Sequence, residues 1–247
     1  TFSLHDALPI YCLDEFSLQE SARILRTLPY LRDISITKEV SGVNRSRVVV
    51  RARDAWTFFP ILGFGVGGGN KKLVVGLSEL NTLGYGSKLQ TAYVDNNGIR
   101  SSELSFQDRR FLNTPYTLGV SLLKREDGDS QLLNLGQPFY SIKDDFMWDL
   151  QLDHSNLVKQ FYRNGETVAA FRVQSEYLKA GVAYATGDAS KLRWRYSFDY
   201  IYSDERFSEV SEADLISYDI DTKFLDHGQS RLQADRRYSG PVFSIQR

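Results

Sequence analysis

Residues 47–86 read RVVVRARDAWTFFPILGFGVGGGNKKLVVGLSELNTLGYG, and this stretch joins two parts of the chain that have different patterns. Its first part, Arg47–Arg53, alternates valine and alanine with arginine, which is typical of a β-strand with one wet face. After Asp54-Ala55-Trp56, a second alternation puts apolar side chains on one parity and glycines on the other, up to a turn at 67–70. Lys72–Leu80 then predicts the partner strand of a hairpin. The first strand of this hairpin therefore carries glycine where side chains would normally fill an interior.

The composition allows one large β domain or two smaller units and excludes several classes of protein. The 247 residues are 42% hydrophobic and 13% aromatic, which is enough to bury surface. The net charge of −1, with acids and bases interspersed, gives no basic surface for nucleic acid. The single cysteine, Cys12, excludes an internal disulfide framework and a multi-cysteine metal site. No apolar run has the roughly 18 residues of a transmembrane helix, but the strands of a membrane β-barrel alternate and stay compatible with this composition.

The start of the chain is unlike that of a secreted protein. Thr1–Ile10 has neither the basic n-region nor the apolar h-region of a signal peptide, and it resembles the translation of a sequencing-library adapter. We therefore interpret residues 1–15 as a non-native or disordered leader, and we expect the native N-terminus and any export signal to be missing.

Residues 16–55 predict a helix followed by a β-hairpin. Ser17 and Glu20 have the spacing of a capping box, which would start a helix. The helix has one apolar stripe, made of Leu18, Ala22, Leu25 and Leu28. Asp33–Val40 and Arg47–Arg53 then alternate as two strands on either side of a Ser41-Gly42 turn. Since neither element is stable alone, we expect the helix to pack its stripe on one face of the hairpin.

From residue 56 onward, the sequence predicts about nine to eleven antiparallel strands. Asn96-Asn97-Gly98 has the residues of a tight hairpin turn, and Asp127–Asp129 marks another turn. Asp204–Asp221 predicts a long acidic loop, and Asp235–Gln246 predicts one more strand. In the clearest strand, Lys191–Ser203, six large side chains share one parity: Leu192, Trp194, Tyr196, Phe198, Tyr200 and Tyr202.

This alternation favours a barrel in a membrane over a soluble β domain, which remains the alternative fold. A soluble sandwich seldom needs six consecutive large apolar or aromatic side chains on one face opposed by charged ones. In an outer-membrane barrel the apolar parity faces lipid and the polar parity lines a hydrated lumen. The 14 tyrosines and three tryptophans suit aromatic girdles at the two membrane surfaces. An even strand number closes such barrels, so we expect the C-terminal strands to be missing.

Three motifs together resemble the outer-membrane barrel-assembly superfamily. They are ESARILRTLPYLRDISI, a strand that ends in VRARDAW, and a glycine-rich hairpin followed by GLSELNTLGYGSKL. The resemblance is to the last POTRA repeat and the first barrel strands of that superfamily, and it spans Phe16 to about Val120. Several members carry an Arg-Gly-Phe/Tyr motif on a loop inside the barrel. No such tripeptide occurs here, so either the chain ends before that loop or the subfamily differs.

The resemblance implies a mainly β protein, incomplete at both ends, in the outer membrane of Gram-negative bacteria. Residues 16–55 would form part of a small α/β POTRA module in the periplasm, and residues 56–247 the N-terminal part of an antiparallel transmembrane β-barrel. The implied function is the insertion or transport of client polypeptides, without enzymatic activity, cofactor or metal. The implied partners are unfolded outer-membrane or secreted polypeptides and outer-membrane lipid, without nucleic acid.

Two sets of residues are candidates for client binding. Ile34 and Ser35 lie in the predicted edge strand of the POTRA module, where an extended client can add as an extra strand. The predicted first barrel strand, residues 57–67, would form a lateral seam with the last strand in this superfamily. Its candidates are Pro60, Ile61, Gly63 and Gly65, because proline and glycine weaken strand pairing.

Other interpretations of these motifs are weaker. Gly63, Gly65 and Gly68 fit a dinucleotide-binding pattern, but a strand follows them where that pattern needs a helix. Asp153-His154 lacks a second ligand at helical or hairpin spacing, which favours a solvated turn over a catalytic or metal site. Two functional alternatives remain open: the membrane anchor of a patatin-like phospholipase whose enzyme domain lies upstream, and a passive channel.

Overall fold

The computed structural model describes residues 15–40, 46–67, 70–163, 166–188, 192–217 and 234–246. The interpreted leader up to residue 14, the glycine turn at 68–69 and the Ser41-Gly42 turn lie outside these ranges. The described part is mainly antiparallel β, as the alternation predicts. No helix in these ranges is long and apolar enough to cross a membrane.

The N-terminal module is a helix followed by a two-stranded sheet, as predicted. It consists of α1 (Glu15–Arg26), β1 (Leu31–Val40) and β2 (Ser46–Asp54). The helix packs its predicted stripe on β1, where Ala22 and Ile34 are buried. The predicted capping box is wrong, because α1 begins two residues before Ser17. The carboxylate of Glu20 binds Arg23 and the backbone N–H of Ile142 instead.

A bulge interrupts the β1–β2 ladder near the helix. The register shifts between Arg32 and Ser35, and Asp33 takes a left-handed backbone with φ 53°. The carbonyl of Ile34 accepts a hydrogen bond from Arg26 at 3.4 Å, while its side chain lies under the helix. Ile34 therefore has a structural role in joining the helix to the strand.

Ten further strands form one antiparallel sheet in which every strand pairs with its neighbours in sequence. The strands are β3 (Phe58–Gly67), β4 (Asn70–Thr82), β5 (Ser87–Asn96), β6 (Ile99–Asp108), β7 (Thr117–Arg125), β8 (Gly128–Gln137), β9 (Phe146–Arg163), β10 (Glu166–Asp188), β11 (Leu192–Glu209) and β12 (Arg236–Gln246). A short 3₁₀ helix, Phe111–Asn113, precedes β7, and a helix α2 (Glu212–Ser217) follows β11. Among the described residues, β3 and β12 are the two edges of this sheet.

Three loop or turn predictions differ from the structure. Asp204 and Glu205 belong to β11, because paired Arg236 and Arg237 of β12 extend the ladder to that level. The β7–β8 turn is Glu126-Asp127, since Arg125 already pairs with Gly128. The two-residue turn Asn97-Gly98 is confirmed, with positive φ at both residues. His154 lies within strand β9 and opposite Glu176, so the predicted turn there is wrong.

One face of the ten-stranded sheet is an apolar belt. It consists of Pro60, Leu62, Phe64, Val66, Leu73, Val75, Leu77, Leu89, Tyr93, Leu104, Phe106, Leu118, Val120, Leu122, Leu133, Leu135, Trp148, Leu150, Leu152, Leu178, Val182, Tyr184, Trp194, Tyr196, Phe198, Tyr200, Tyr202, Phe243 and Ile245. Many of these side chains are well exposed, including Phe64 at 78% and Phe243 at 72%. The opposite, polar face carries Lys72, Gln90, Glu103, Ser121, Asn134, Asp149, Lys179 and Asp199.

The belt runs obliquely to the rows of paired residues. One row can be followed across all ten strands: Phe58, Glu79, Leu89, Phe106, Val120, Leu133, Leu152, Leu178, Tyr202 and Ser239. In β3 the belt lies on the side of this row that is far from the module. In β11 it lies on the near side, from Trp194 to Tyr202. The strands are therefore tilted relative to the belt, as strands are in barrels.

The sheet needs a glycine where β4 and β5 approach each other. A Cβ on Gly76 would lie 2.4 Å from the carbonyl oxygen of Thr91 and 2.9 Å from Cα of Ala92. By contrast, a Cβ on Gly65 of the edge strand would meet nothing within 4 Å.

We expect Gly76→Ala to destabilise the sheet by about 1–3 kcal/mol, because backbone must move to admit the methyl group. Gly65→Ala is the matched control and should have little effect. Denaturant titration of the two variants in detergent measures the difference. Equal midpoints for both variants would contradict the close approach of β4 and β5.

Candidate functional site

The candidate site is the joint between the N-terminal module and the end of the ten-stranded sheet that faces it, here called the module end. The turns at this end follow β4, β6, β8 and β10, and the opposite, distal end carries the turns after the odd-numbered strands from β3 to β11. The backbone passes directly from β2 to β3 through residues 55–57. Two hydrogen bonds fix this passage, from Ala55 N–H to the Tyr30 carbonyl (3.0 Å) and from Leu80 N–H to the Thr57 carbonyl (2.9 Å).

The module contacts three successive turns of the module end. Tyr30 lies against the β4–β5 turn, where a Cβ on Gly86 would come within 2.8 Å of its hydroxyl. Arg109, just after β6, donates to the carbonyl of Thr27 at 3.0 Å. Arg23 donates to the carbonyl of Tyr140 in the β8–β9 loop, also at 3.0 Å. The segment from α1 to β1 therefore contacts the β4–β5, β6–β7 and β8–β9 connections.

Glu20 is the buried centre of this joint. Its side chain is 7% exposed, and it accepts hydrogen bonds from Arg23 at 2.7 and 2.8 Å and from Ile142 N–H at 2.8 Å. The hydrogen bonds from Arg23, and then that from Ile142, outweigh the effect of burial and lower the pKa of Glu20 to about 2. The carboxylate is therefore ionised at neutral pH and holds the helix on the β8–β9 loop.

The same loop is held from the other side by β11. Arg193 donates to the carbonyl of Ile142 at 2.5 Å and to that of Asp144 at 3.1 Å, and it also pairs with the carboxylate of Asp145. Ile142 thus accepts a hydrogen bond from Arg193 of β11 at its carbonyl and donates its own N–H to Glu20 of α1. A continuous chain of polar contacts therefore runs from the module into the sheet.

The candidate seam residues lie together in β3, at one edge of the sheet. Pro60 pairs with Leu77, Ile61 with Gly76, Gly63 with Val74 and Gly65 with Lys72. An edge strand is where proline is tolerated, because its missing N–H removes no ladder hydrogen bond on the free side. The edge strand of the module, which holds Ile34 and Ser35, belongs to a separate two-stranded sheet. The structure therefore brings the seam residues together but keeps the two sets of candidates in separate sheets.

A polar cluster lies on the polar face where β9, β10 and β11 run side by side. Lys179 Nζ is 3.0 Å from a carboxylate oxygen of Asp149 and 3.1 Å from one of Asp199. A Cβ on Gly181 would lie 2.2 Å from Asp199 Oδ1, so the glycine leaves the space that the carboxylate occupies. Three strands are therefore tied by one cation on this face. The described residues hold no group of three or more His, Cys, Asp and Glu side chains suited to a metal ion.

Sequence reasoning missed the joint and the polar cluster. Arg23 follows Glu20 at a spacing that brings side chains together on a helix, and this was the one local signal for the joint. The partners at Ile142 and Arg193 are far away in sequence, so no local pattern could identify them.

No protein-family model and no curated protein sequence matches the chain. Among solved structures, the chain is similar to BamA from Haemophilus ducreyi lacking POTRA domains 1–3, at 15% identity and a TM-score of 0.44. The similarity covers 81% of this chain and 46% of that one, so the chain spans about half the length of the BamA structure.

We expect Glu20→Gln to reduce the protection of the Ile142 amide against hydrogen exchange roughly tenfold or more at pH 7. The reason is that a hydrogen bond to a charged group contributes about 1.5–3 kcal/mol. Since the folded pKa of Glu20 lies below its ordinary 4.5, this contribution is complete above pH 4.5 and is lost as the pH falls through about 2.

The ratio of protection between the natural protein and the variant should therefore approach one near pH 2, with both measured at the same pH. Glu15→Gln, at the exposed start of the same helix, is the control and should leave Ile142 unchanged. A ratio that stays constant from pH 7 to pH 2 would show that the Glu20 carboxylate does not hold the joint.

Proposed function

We propose that this chain is part of an outer-membrane β-barrel that inserts or transports client polypeptides through a periplasmic POTRA-type module. The observation that carries the membrane assignment is the apolar belt, which crosses all ten strands obliquely and is opposed by a polar face. The observation that supports the transport role is the joint, where the module contacts three successive turns of the sheet.

The belt has the dimensions of a membrane crossing. In β11 it extends from Trp194 to Tyr202, which is close to the 9–11 residues that a tilted strand needs to cross the hydrocarbon layer. Aromatic side chains stand at both of its ends, with Trp194 and Tyr196 toward the module and Tyr200 and Tyr202 toward the distal end. Aromatic girdles at both interfaces are typical of outer-membrane barrels. An exposed apolar surface of this extent would be an aggregation hazard in water.

One long connection supports an orientation. The β11–β12 connection at the distal end has 26 residues, whereas the other four distal turns have two residues each and the connections of the module end have three to eight. In outer-membrane barrels the long loops are extracellular. On the strength of this one loop, we assign the distal end to the cell exterior and the module end, with the N-terminal module, to the periplasm.

Client transport is supported by the edge strands. Unpaired N–H and C=O groups on an edge can recruit an extended polypeptide as an additional strand, without a strict side-chain code. The module offers such an edge in its two-stranded sheet, and β3 offers one in the ten-stranded sheet, next to the same passage at residues 55–57. We propose that clients bind first near Ser35 and then at the β3 seam around Ile61.

We expect Trp194→Arg and Phe198→Arg to destabilise the inserted protein, with the larger loss, about 2–4 kcal/mol, at whichever position lies nearer the bilayer midplane. Ser197→Arg, on the polar face of the same strand, is the matched control and should cost much less. Unfolding titrations in lipid vesicles give the free energies. Equal losses on both faces would reject a division between lipid and lumen.

The transport role is tested by removing backbone donors from β1. Successive N–H groups of a strand point to opposite sides. Of the two variants Ser35→Pro and Ile36→Pro, one therefore removes a donor that faces β2, and the other removes a donor on the free edge of β1. We expect one of them to lower the levels of client outer-membrane proteins while the barrel itself stays folded. Ser35→Ala keeps the N–H and is the control.

The assay needs cells in which the variant is the one source of the protein, with barrel folding checked by its migration on unheated gels. Normal client levels with both proline variants folded would contradict the transport role. That result would favour the membrane anchor of an upstream enzyme, or a passive channel.

A further inference from the structure

The two-stranded sheet of the N-terminal module has a basic face made of four arginines. Arg47, Arg51 and Arg53 lie on one side of β2, and Arg32 of β1 pairs with Arg53 on the same side. All four residues are exposed, with 70% of the Arg51 side chain and 76% of the Arg53 side chain accessible. The face is therefore open to a ligand.

The charges of the basic face are not balanced within the described residues. Arg51 and Arg53 each have one exposed carboxylate nearby, Glu39 at 4.0 Å and Asp33 at 3.5 Å. Four arginines and two carboxylates leave two positive charges in excess. Arg32 stands directly opposite Arg53 in the ladder, and like charges in such a pair destabilise a sheet. An anion placed beside Arg32 would relieve this repulsion.

The basic face points away from the module end of the ten-stranded sheet. The other face of β1 carries Ile34, which is buried together with Ala22 under α1. Glu20 and Arg23, on the opposite side of α1, contact the β8–β9 loop. The helix therefore lies between the two sheets. Since the proposed bilayer surrounds the ten-stranded sheet, this order favours a polypeptide in the periplasm over lipid headgroups as the ligand of the arginines.

We propose that the client segment that adds to the free edge of β1 is acidic, with carboxylates at two alternate positions beside Arg32 and Ser35. The inference rests on the proposed function, because it names the chemistry of the client at the same edge. An added strand lies about 4.8 Å from β1 and places alternate side chains on the basic face. One carboxylate pairs with Arg32. The other meets Arg51, which is opposite Ser35 in the ladder and can extend across this small residue.

Glu39 limits where the acidic positions fall along the client. It lies on the same face of β1 as Ser35 and Thr37, at the end far from the passage at residues 55–57. A carboxylate beside Glu39 would be repelled, because like charges on neighbouring strands destabilise their pairing. The client segment is therefore acidic next to the ten-stranded sheet and neutral or basic at its other end.

The test measures the binding of short fluorescent peptides to the full chain in phosphatidylcholine nanodiscs by anisotropy. Each peptide alternates valine with threonine, and its two central threonines are replaced by glutamate, glutamine or lysine. We expect the glutamate peptide to bind roughly five- to tenfold more tightly than the glutamine peptide, and the lysine peptide to bind most weakly. The reason is that opposite charges stabilise cross-strand pairs and like charges destabilise them.

Matched variants separate the basic face from the net charge of the module. The double variant Arg32→Gln/Arg51→Gln should reduce the preference for glutamate over glutamine to less than twofold, while the glutamine peptide still binds. Lys38→Gln also removes a positive charge from β1, but Lys38 lies opposite Val48 on the other face. This variant should leave the preference unchanged.

Equal affinities of the glutamate and glutamine peptides for the natural chain would overturn the acidic preference and leave the proposed function standing. A loss with Lys38→Gln as large as that with the double variant would also overturn it, because net charge would then explain the preference. So would a double variant that keeps the peptide preference but loses association with spin-labelled phosphatidylglycerol, since the arginines would then face the membrane. If no peptide binds, both this inference and client addition at β1 are overturned.

Discussion

The fold depends on backbone pairing between consecutive antiparallel strands, because those strands carry an apolar belt on one face. In the hydrocarbon layer that the proposed function assigns to the belt, no water can satisfy an unpaired N–H or C=O, so each strand must hydrogen-bond to its neighbours along the belt. The ladder achieves this from β3 to β12. Among the described residues, the strands at the two edges of this sheet are β3 and β12, and Pro60 removes one backbone donor from β3. The need for backbone pairing stabilises the interior of the sheet, and the same need makes the unpaired backbone groups of an edge strand able to pair with another strand.

The joint couples the ten-stranded sheet to the N-terminal module. Glu20 holds α1 on the β8–β9 loop, and Arg193 holds the same loop on β11. A displacement of the helix would therefore act on the loop that links β8 to β9, far from β3 in the order of the sheet. This arrangement differs from a flexible tether, since the helix and the sheet share a buried, ionised hydrogen-bond centre. In the proposed function, a rigid joint would let the module present an extended client at a fixed place.

The element order and the two faces of the sheet could be predicted from the sequence because each rests on a local period. The alternation in Leu192–Tyr202 and the Asn97-Gly98 turn carry their own signals, and both are confirmed. The capping box failed because Glu20 has stronger partners, Arg23 and Ile142, one of which is supplied by tertiary structure. The prediction of a loop starting at Asp204 was wrong for a similar reason. An acidic residue is expected to be exposed, but Arg206 and Arg237 both donate hydrogen bonds to Asp204, and Arg237 comes from another strand. The client-binding role of Ile34, Ser35, Pro60, Ile61, Gly63 and Gly65 stays a prediction.

If the belt contacts lipid and the opposite face contacts water, a nitroxide scan of β11 will show the difference residue by residue. Single cysteines are placed at positions 194 to 202 in a Cys12→Ser background and labelled in lipid vesicles. Accessibility to oxygen, which partitions into lipid, is compared with accessibility to a water-soluble nickel complex. We expect the accessibilities to vary with a period of two residues, with oxygen favoured at 194, 196, 198, 200 and 202 and nickel at the positions between them. Uniform accessibility along the strand, or the opposite phase, would contradict this division between lipid and water.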